Sequence, residues 1–124
     1  MTDYLADKVA QHVLMNVAYT SPATVYLALY STPTTAAGGG TEVGGGSYAR
    51  LAISFTDPGD PGLVEQDATL TFNDMPGVTV THIAIHDHIS AGNMLIFGAL
   101  RSPRTVGAGQ PFVLGAGDIR VLFD

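Results

Sequence analysis

The sequence predicts an all-β protein: an antiparallel β-sandwich, jelly-roll-like, of about seven strands with one N-terminal α-helix. Short runs of alternating apolar and polar residues recur along the chain, bounded by clusters of Gly, Pro, Asn and Asp at the spacing of all-β domains. Only the first segment carries a helical period, and no helices fall between the strands, which argues against a parallel sheet. With 124 residues, one domain over 1–124 is expected, large enough to bury a core of its own.

Thr2 or Asp3 caps a helix of about residues 3–16 within an N-terminal segment 1–17, and Asp3 and Asp7 suit the positive end of its dipole. Leu5, Val9 and Val13 recur at i, i+4 and i+8, with Ala6, Ala10 and Leu14 beside them. This stripe docks either on the chain's own sheet, the commoner arrangement, or on a neighbouring subunit. After the Ser21-Pro22 turn, Val25, Leu27 and Leu29 alternate with Tyr26, Ala28 and Tyr30 in a first strand.

Residues 32–47, TPTTAAGGGTEVGGGS, hold six glycines in two triplets and almost nothing to bury. They read as a surface loop, a flexible arm or a segment ordered by a partner. Neither triplet leads into a Lys-Ser/Thr pair or a helix, so no phosphate cradle is expected. Tyr48 to Phe55 forms a second strand, TDPGDPG from Thr56 to Gly62 is a connection, and Ala68 to Phe72 is a third strand. Turn aspartates Asp57 and Asp60 lack EF-hand spacing, so calcium is not expected.

The chain is organised around residues 78–100. Val80, Ile83 and Ile85 interleave with Thr81, His82 and His86 at a period close to two. Ser90-Ala91-Gly92-Asn93 tolerates the positive φ of a hairpin reversal. Met94 to Leu100 is nearly all apolar, as expected of a strand covered on both faces. Arg101 to Gln110 reads as a loop, and Pro111–Leu114 and Ile119–Phe123 as the last strands, separated by Gly115 to Asp118.

Composition narrows the function. Charged residues make up only 13% of the chain, about half the usual share, which suits a surface that meets other subunits. A formal net charge of −6 argues against a nucleic-acid partner. No apolar run approaches a membrane span and no signal peptide is evident, so synthesis in the cytoplasm is expected. Without cysteine there are no disulfides, thiol nucleophiles or thiolate metal sites.

The one constellation that invites chemistry is His82, His86 and His88, which a straight strand places on one face. Two histidines at i and i+2 can reach one metal, and a third ligand from a neighbouring strand would complete a zinc-type site. The commoner alternative is a set of surface or interface histidines, and no metal or cofactor is expected. No GxSxG elbow and no paired acids at a useful spacing occur, so no enzyme is expected. Tyr26, Tyr30 and Tyr48 suggest a sugar platform, against which stands the commoner half-buried strand tyrosine.

Several stretches occur together in order: TVYLALY at 24–30, TEVGGGSYAR at 41–50, VTHIAIHD at 80–87, GNMLIFGAL at 92–100 and AGDIRVLFD at 116–124. Taken together they resemble a family of small tailed-bacteriophage virion proteins, labelled tail-fibre, head-decoration or structural proteins. The chain departs from that family where His86 and His88 flank Asp87 in place of an aromatic and a small residue. The resemblance implies a β-rich, non-enzymatic subunit of the virion that partners the major capsid protein or tail components, as a homo-oligomer or a symmetric array.

The expectation is a capsid decoration, or cement, subunit on the outer head surface. The alternatives are a tail or tail-fibre-associated protein and a host-glycan-binding module. Leu5, Val9 and Val13 of the helix, with Thr41, Glu42, Val43, Tyr48 and Arg50 around the Gly-rich loop, are the interface candidates.

Overall fold

The computed structural model describes residues 1–123. A single helix, α1 (Asp3–Leu14), precedes nine strands: β1 (Val25–Tyr30), β2 (Leu51–Ile53), β3 (Phe55–Thr56), β4 (Leu63–Gln66), β5 (Leu70–Phe72), β6 (Val78–His86), β7 (Met94–Val106), β8 (Phe112–Leu114) and β9 (Arg120–Leu122). They form antiparallel sheets in the orders β2-β1-β6-β7, β3-β4-β9 and β5-β8, a sandwich-like all-β fold. The core lies between them, where Leu27, Leu29 and Val80 are wholly excluded from solvent beside Phe72 and Phe112.

Nine strands stand where seven were expected, for two local reasons. The run Tyr48–Phe55 is not one strand: β2 pairs with β1, β3 pairs with β4, and the chain changes sheets at Ser54, whose hydroxyl bonds the Asp67 carboxylate at 2.7 Å. Such a change of sheet makes a corner of a sandwich. Residues 63–66, which lie between the expected connection and the expected third strand, form β4 and pair with both β3 and β9. The last two strands also part: β8 joins β5 and β9 joins β4.

β6 and β7 are the central hairpin, and Ala91 and Gly92 take the positive φ of its reversal, at 54° and 71°. The register breaks between Val80, opposite Arg104, and His82, opposite Ala99. That bulge turns β6 by one residue, so Val80 shares the core face with Ile83 and Ile85 although an odd spacing separates them. It also corrects the expected loop at 101–110. β7 continues to Val106, with polar Arg101 to Pro103 in the bulge, where proline leaves no ladder bond unmade. Arg104 then lies over the Phe112 ring, 4.1 Å from its centre, and bonds the Val113 carbonyl at 2.9 Å.

β7 was expected to be covered on both faces, yet it is the edge of its sheet, and Ile96, Phe97 and Leu100 are only half-buried. The Thr2 hydroxyl caps α1 by accepting from the Leu5 amide at 3.3 Å and donates to the Met94 carbonyl of β7 at 2.7 Å. Asn16, at φ 57°, stops the helical run.

Candidate functional site

The Gly-rich segment 32–47 lies against the end of β1. The Ser31 amide bonds the Thr41 carbonyl at 2.9 Å, the Val43 amide bonds the Leu29 carbonyl at 2.9 Å, and Glu42 bridges to Tyr30. Although its composition offers little to bury, the segment places Val43 in the core and buries Thr34. Gly46 explains its close approach to the neighbouring turn. At φ 56° a side chain there is strained, and a Cβ would stand 2.6 Å from the Asp74 carbonyl oxygen.

Glu42 leads a polar cluster beneath this segment. Arg50 grips its carboxylate with two bonds, Nη2 to Oε1 at 2.9 Å and Nε to Oε2 at 3.0 Å, and Tyr48 donates to Oε2 at 2.7 Å. The other side of the guanidinium donates to the carbonyls of His88 at 3.0 Å and Ala91 at 2.9 Å. Arg50 therefore ties the Gly-rich segment to the β6–β7 turn. Tyr48 also accepts from the Leu29 amide of β1 at 2.9 Å and stacks on Phe72 in the core.

Burial alone would raise the Glu42 carboxyl, but its bonds to Arg50 and Tyr48 outweigh burial and hold it below the ordinary carboxylate range. Burial, and then the hydrogen bond to Glu42, push Tyr48 far up, so it stays a neutral donor. Bonding to the carboxylate raises Arg50, and burial opposes this. The result is a charge-paired structural clamp with no nucleophile and no base left free to take a proton.

Next to the clamp, buried His86 meets Tyr30 through Nε2 at 2.9 Å, with the two rings stacked. Burial and the Arg50 charge depress the His86 pKa, which keeps the ring neutral. The other histidines do not join it. His82 sits four residues back on β6, with Nδ1 at 2.9 Å from the Thr81 hydroxyl. His88 lies beyond the end of the strand, its ring held by Ser90. Strand alternation has ended before His88, so the straight-strand geometry behind a shared metal does not arise; among the described residues no three His, Cys, Asp or Glu side chains gather as a metal site. Tyr30 and Tyr48 are likewise bound within the fold and make no open aromatic platform.

The interface candidates divide by exposure. Leu5 and Val43 are buried in the protein itself, and Glu42, Tyr48 and Arg50 are held in the clamp. Val9, Val13 and Thr41 are exposed. The orientation of α1 was not visible in sequence. Leu5 rests on the body with half-buried Tyr4, Lys8 and Gln11 on the same side, while Ala6, Val9, Ala10 and Val13 face solvent. Leu14 and Met15 project farthest, at 82% and 68% exposure. The stripe thus divides along its length: Leu5 docks on the chain's own body and Val9 lines a groove with Ile96 and Phe97 of β7, as own-sheet packing expects, while Val13 and Leu14 face outward.

One family matches almost the whole chain: residues 1–122 correspond to the family described as Podophage GP4 fiber I protein gp80. The chain belongs to that family. It is a family of phage virion structural proteins, as the resemblance implied. The match favours the fibre alternative, and nothing in it supports the expected capsid decoration. No curated protein matches the chain. No helix among the described residues is long and apolar enough to cross a membrane.

Proposed function

We propose that this chain is a non-enzymatic structural subunit of a phage tail fibre, joined to tail or fibre components of the virion. The observation that carries this is the match to a podophage fibre family over residues 1–122. The site geometry supports it. The polar side chains that come together are consumed in holding the Gly-rich segment to the β6–β7 turn, while Val13 and Leu14 of the helix are left outward, as suits a docking subunit. Among the interface candidates, Val9, Val13 and Thr41 remain accessible to a partner, and Leu5, Glu42, Val43, Tyr48 and Arg50 shape the surface from within.

Quantitative mass spectrometry of purified virions, with gold-labelled antibody against the full chain, tests the proposal. The expected result is a copy number far below that of the major shell protein and label at the tail. A copy number matching the shell protein, with label over the head, would overturn the fibre assignment.

A further inference from the structure

The two larger sheets form one curled ladder. The chain passes from β2 to β3 at Ser54, so the strands run β7-β6-β1-β2, turn the corner, and continue β3-β4-β9. The ladder starts at β7 and stops at β9, and these two strands do not pair. Their Cα atoms stay for the most part more than 8 Å apart, whereas paired strands lie about 4.8 Å apart, which leaves room for one extended strand between them. An apolar cavity of about 320 Å³ opens in this gap, walled by Ile96 and Leu100 of β7, Ile83 and Ile85 of β6, and the buried Leu114 and Ile119.

We propose that this gap is a β-augmentation site, in which an extended segment of another virion protein, with alternating apolar side chains and acidic flanks, adds to the outer edge of β7. The main chain selects such a partner. The Thr2 amide donates to the Leu95 carbonyl at 2.9 Å, so the chain itself already pairs one residue with the start of that edge. From Ile96 to Arg101, among the described residues, no backbone bond reaches the outer edge of β7, and none reaches that of β9. Rows of unpaired N–H and C=O groups are matched by the main chain of another strand, which a helix, with its backbone bonds already made, cannot offer.

Gly98 marks the place for a side chain of the incoming strand. Ile96 and Leu100 pack on the core and Phe97 on the opposite face, so Gly98 falls on the core face between them, in the cavity wall. A Cβ added there would meet nothing within 4 Å, and this space suits an apolar side chain. Charge selects the flanks. Arg101 and Arg120 line the same cavity; Arg101 has no carboxylate partner among the described residues, and Arg120 is 65% exposed beside Glu65 at 3.3 Å. Asp118, which also lines it, has one carboxylate oxygen held by the Gly115 amide at 2.8 Å. In a chain with five cations against eleven carboxylates, two cations at one cavity favour acidic side chains at the ends of the segment.

Hydrogen exchange of the full chain, read by NMR with and without the capped peptide Glu-Val-Thr-Leu-Thr-Val-Glu, tests the proposal. The expected result is saturable binding that slows exchange at least tenfold within Ile96–Arg101, and no binding by the same peptide with its backbone nitrogens methylated. Gly98→Val fills the space from within and should weaken binding at least tenfold while keeping the wild-type melting temperature or raising it. Arg101→Glu, at an exposed position, should weaken binding several-fold, and a peptide with Ser in place of both Glu residues should lose that sensitivity.

No binding at millimolar peptide would overturn the proposal. So would binding that leaves Ile96–Arg101 unchanged, that survives methylation of the peptide backbone, or that ignores Gly98→Val. A wild-type dimer already shielding Ile96–Arg101 before peptide is added would give the edge to a second copy and overturn it too. That the partner is a virion component rests on the fibre assignment, whereas the peptide reads the edge in the isolated protein, so the two fail separately.

Discussion

Arg50→Ala should be among the most damaging single substitutions outside the apolar core. The Arg50 side chain is 8% exposed and its partner Glu42 is 26% exposed, so the pair is largely shielded from water. Removing one member of a buried pair costs about 3–5 kcal/mol, chiefly because the remaining charge has lost its partner. Glu42 keeps the Tyr48 hydroxyl and some solvent, which lowers the cost, whereas the carbonyls of His88 and Ala91 lose their donor, which raises it. We expect a loss of about 3 kcal/mol, or roughly 10 °C in melting temperature for a chain of this size.

Denaturant unfolding of the wild type, Arg50→Ala, Glu42→Gln and the double variant measures the loss and its coupling. If the clamp acts as a unit, the double variant should be more stable than the sum of the single effects predicts, by about 1.5–3 kcal/mol. A loss below about 1 kcal/mol for Arg50→Ala, or strictly additive effects, would refute the clamp.

Four further outcomes follow from the same structure. The Glu42 carboxyl is depressed in the fold, so it stabilises above its unfolded pKa and that contribution fades as pH falls through the folded value; acid unfolding curves of Glu42→Gln should be correspondingly flatter below about pH 5. His86 is also depressed, so the unfolded chain binds its proton first and wild-type stability should decline below about pH 6.5, a slope that His86→Asn should reduce in pH-dependent denaturant titrations. In the same assay Gly46→Ala should cost about 2 kcal/mol or more because of the Asp74 carbonyl, against about 1 kcal/mol for Gly39→Ala, where the φ is positive but the space is open. Leu29→Ala, at a position with no solvent exposure, should cost about 3 kcal/mol, whereas Leu14→Ser should change stability by less than about 0.5 kcal/mol.

The alternation of Val25, Leu27 and Leu29, the helical period of Leu5, Val9 and Val13, and the small residues at Ala91-Gly92 are local signals, and each yields its element in the structure. Local signals failed where an element depends on a distant partner. β4 has no strong alternation of its own and exists because β3 and β9 flank it. The polar, proline-bearing end of β7 resembles a loop because its strand character comes from Val78 and Thr79, which lie opposite Val106 and Thr105. The clamp was half visible: Glu42, Tyr48 and Arg50 stood out as a group in TEVGGGSYAR, but as surface contacts. Only folding brings the β6–β7 carbonyls to Arg50 and the β1 amide to Tyr48, and so turns them inward.

By itself, the sequence determined the all-β class, the single terminal helix and the central hairpin, because each follows from the periodicity and turn chemistry of neighbouring residues. The tertiary structure decided which face of that helix meets the body, which sheet each short strand joins, and whether the histidines meet. Those outcomes depend on contacts between residues far apart in the chain. Thr2 held by β7 and Leu5 packed on the body fix how α1 is turned, so the stripe that the sequence displays is buried at Leu5 and faces outward at Val13 and Leu14.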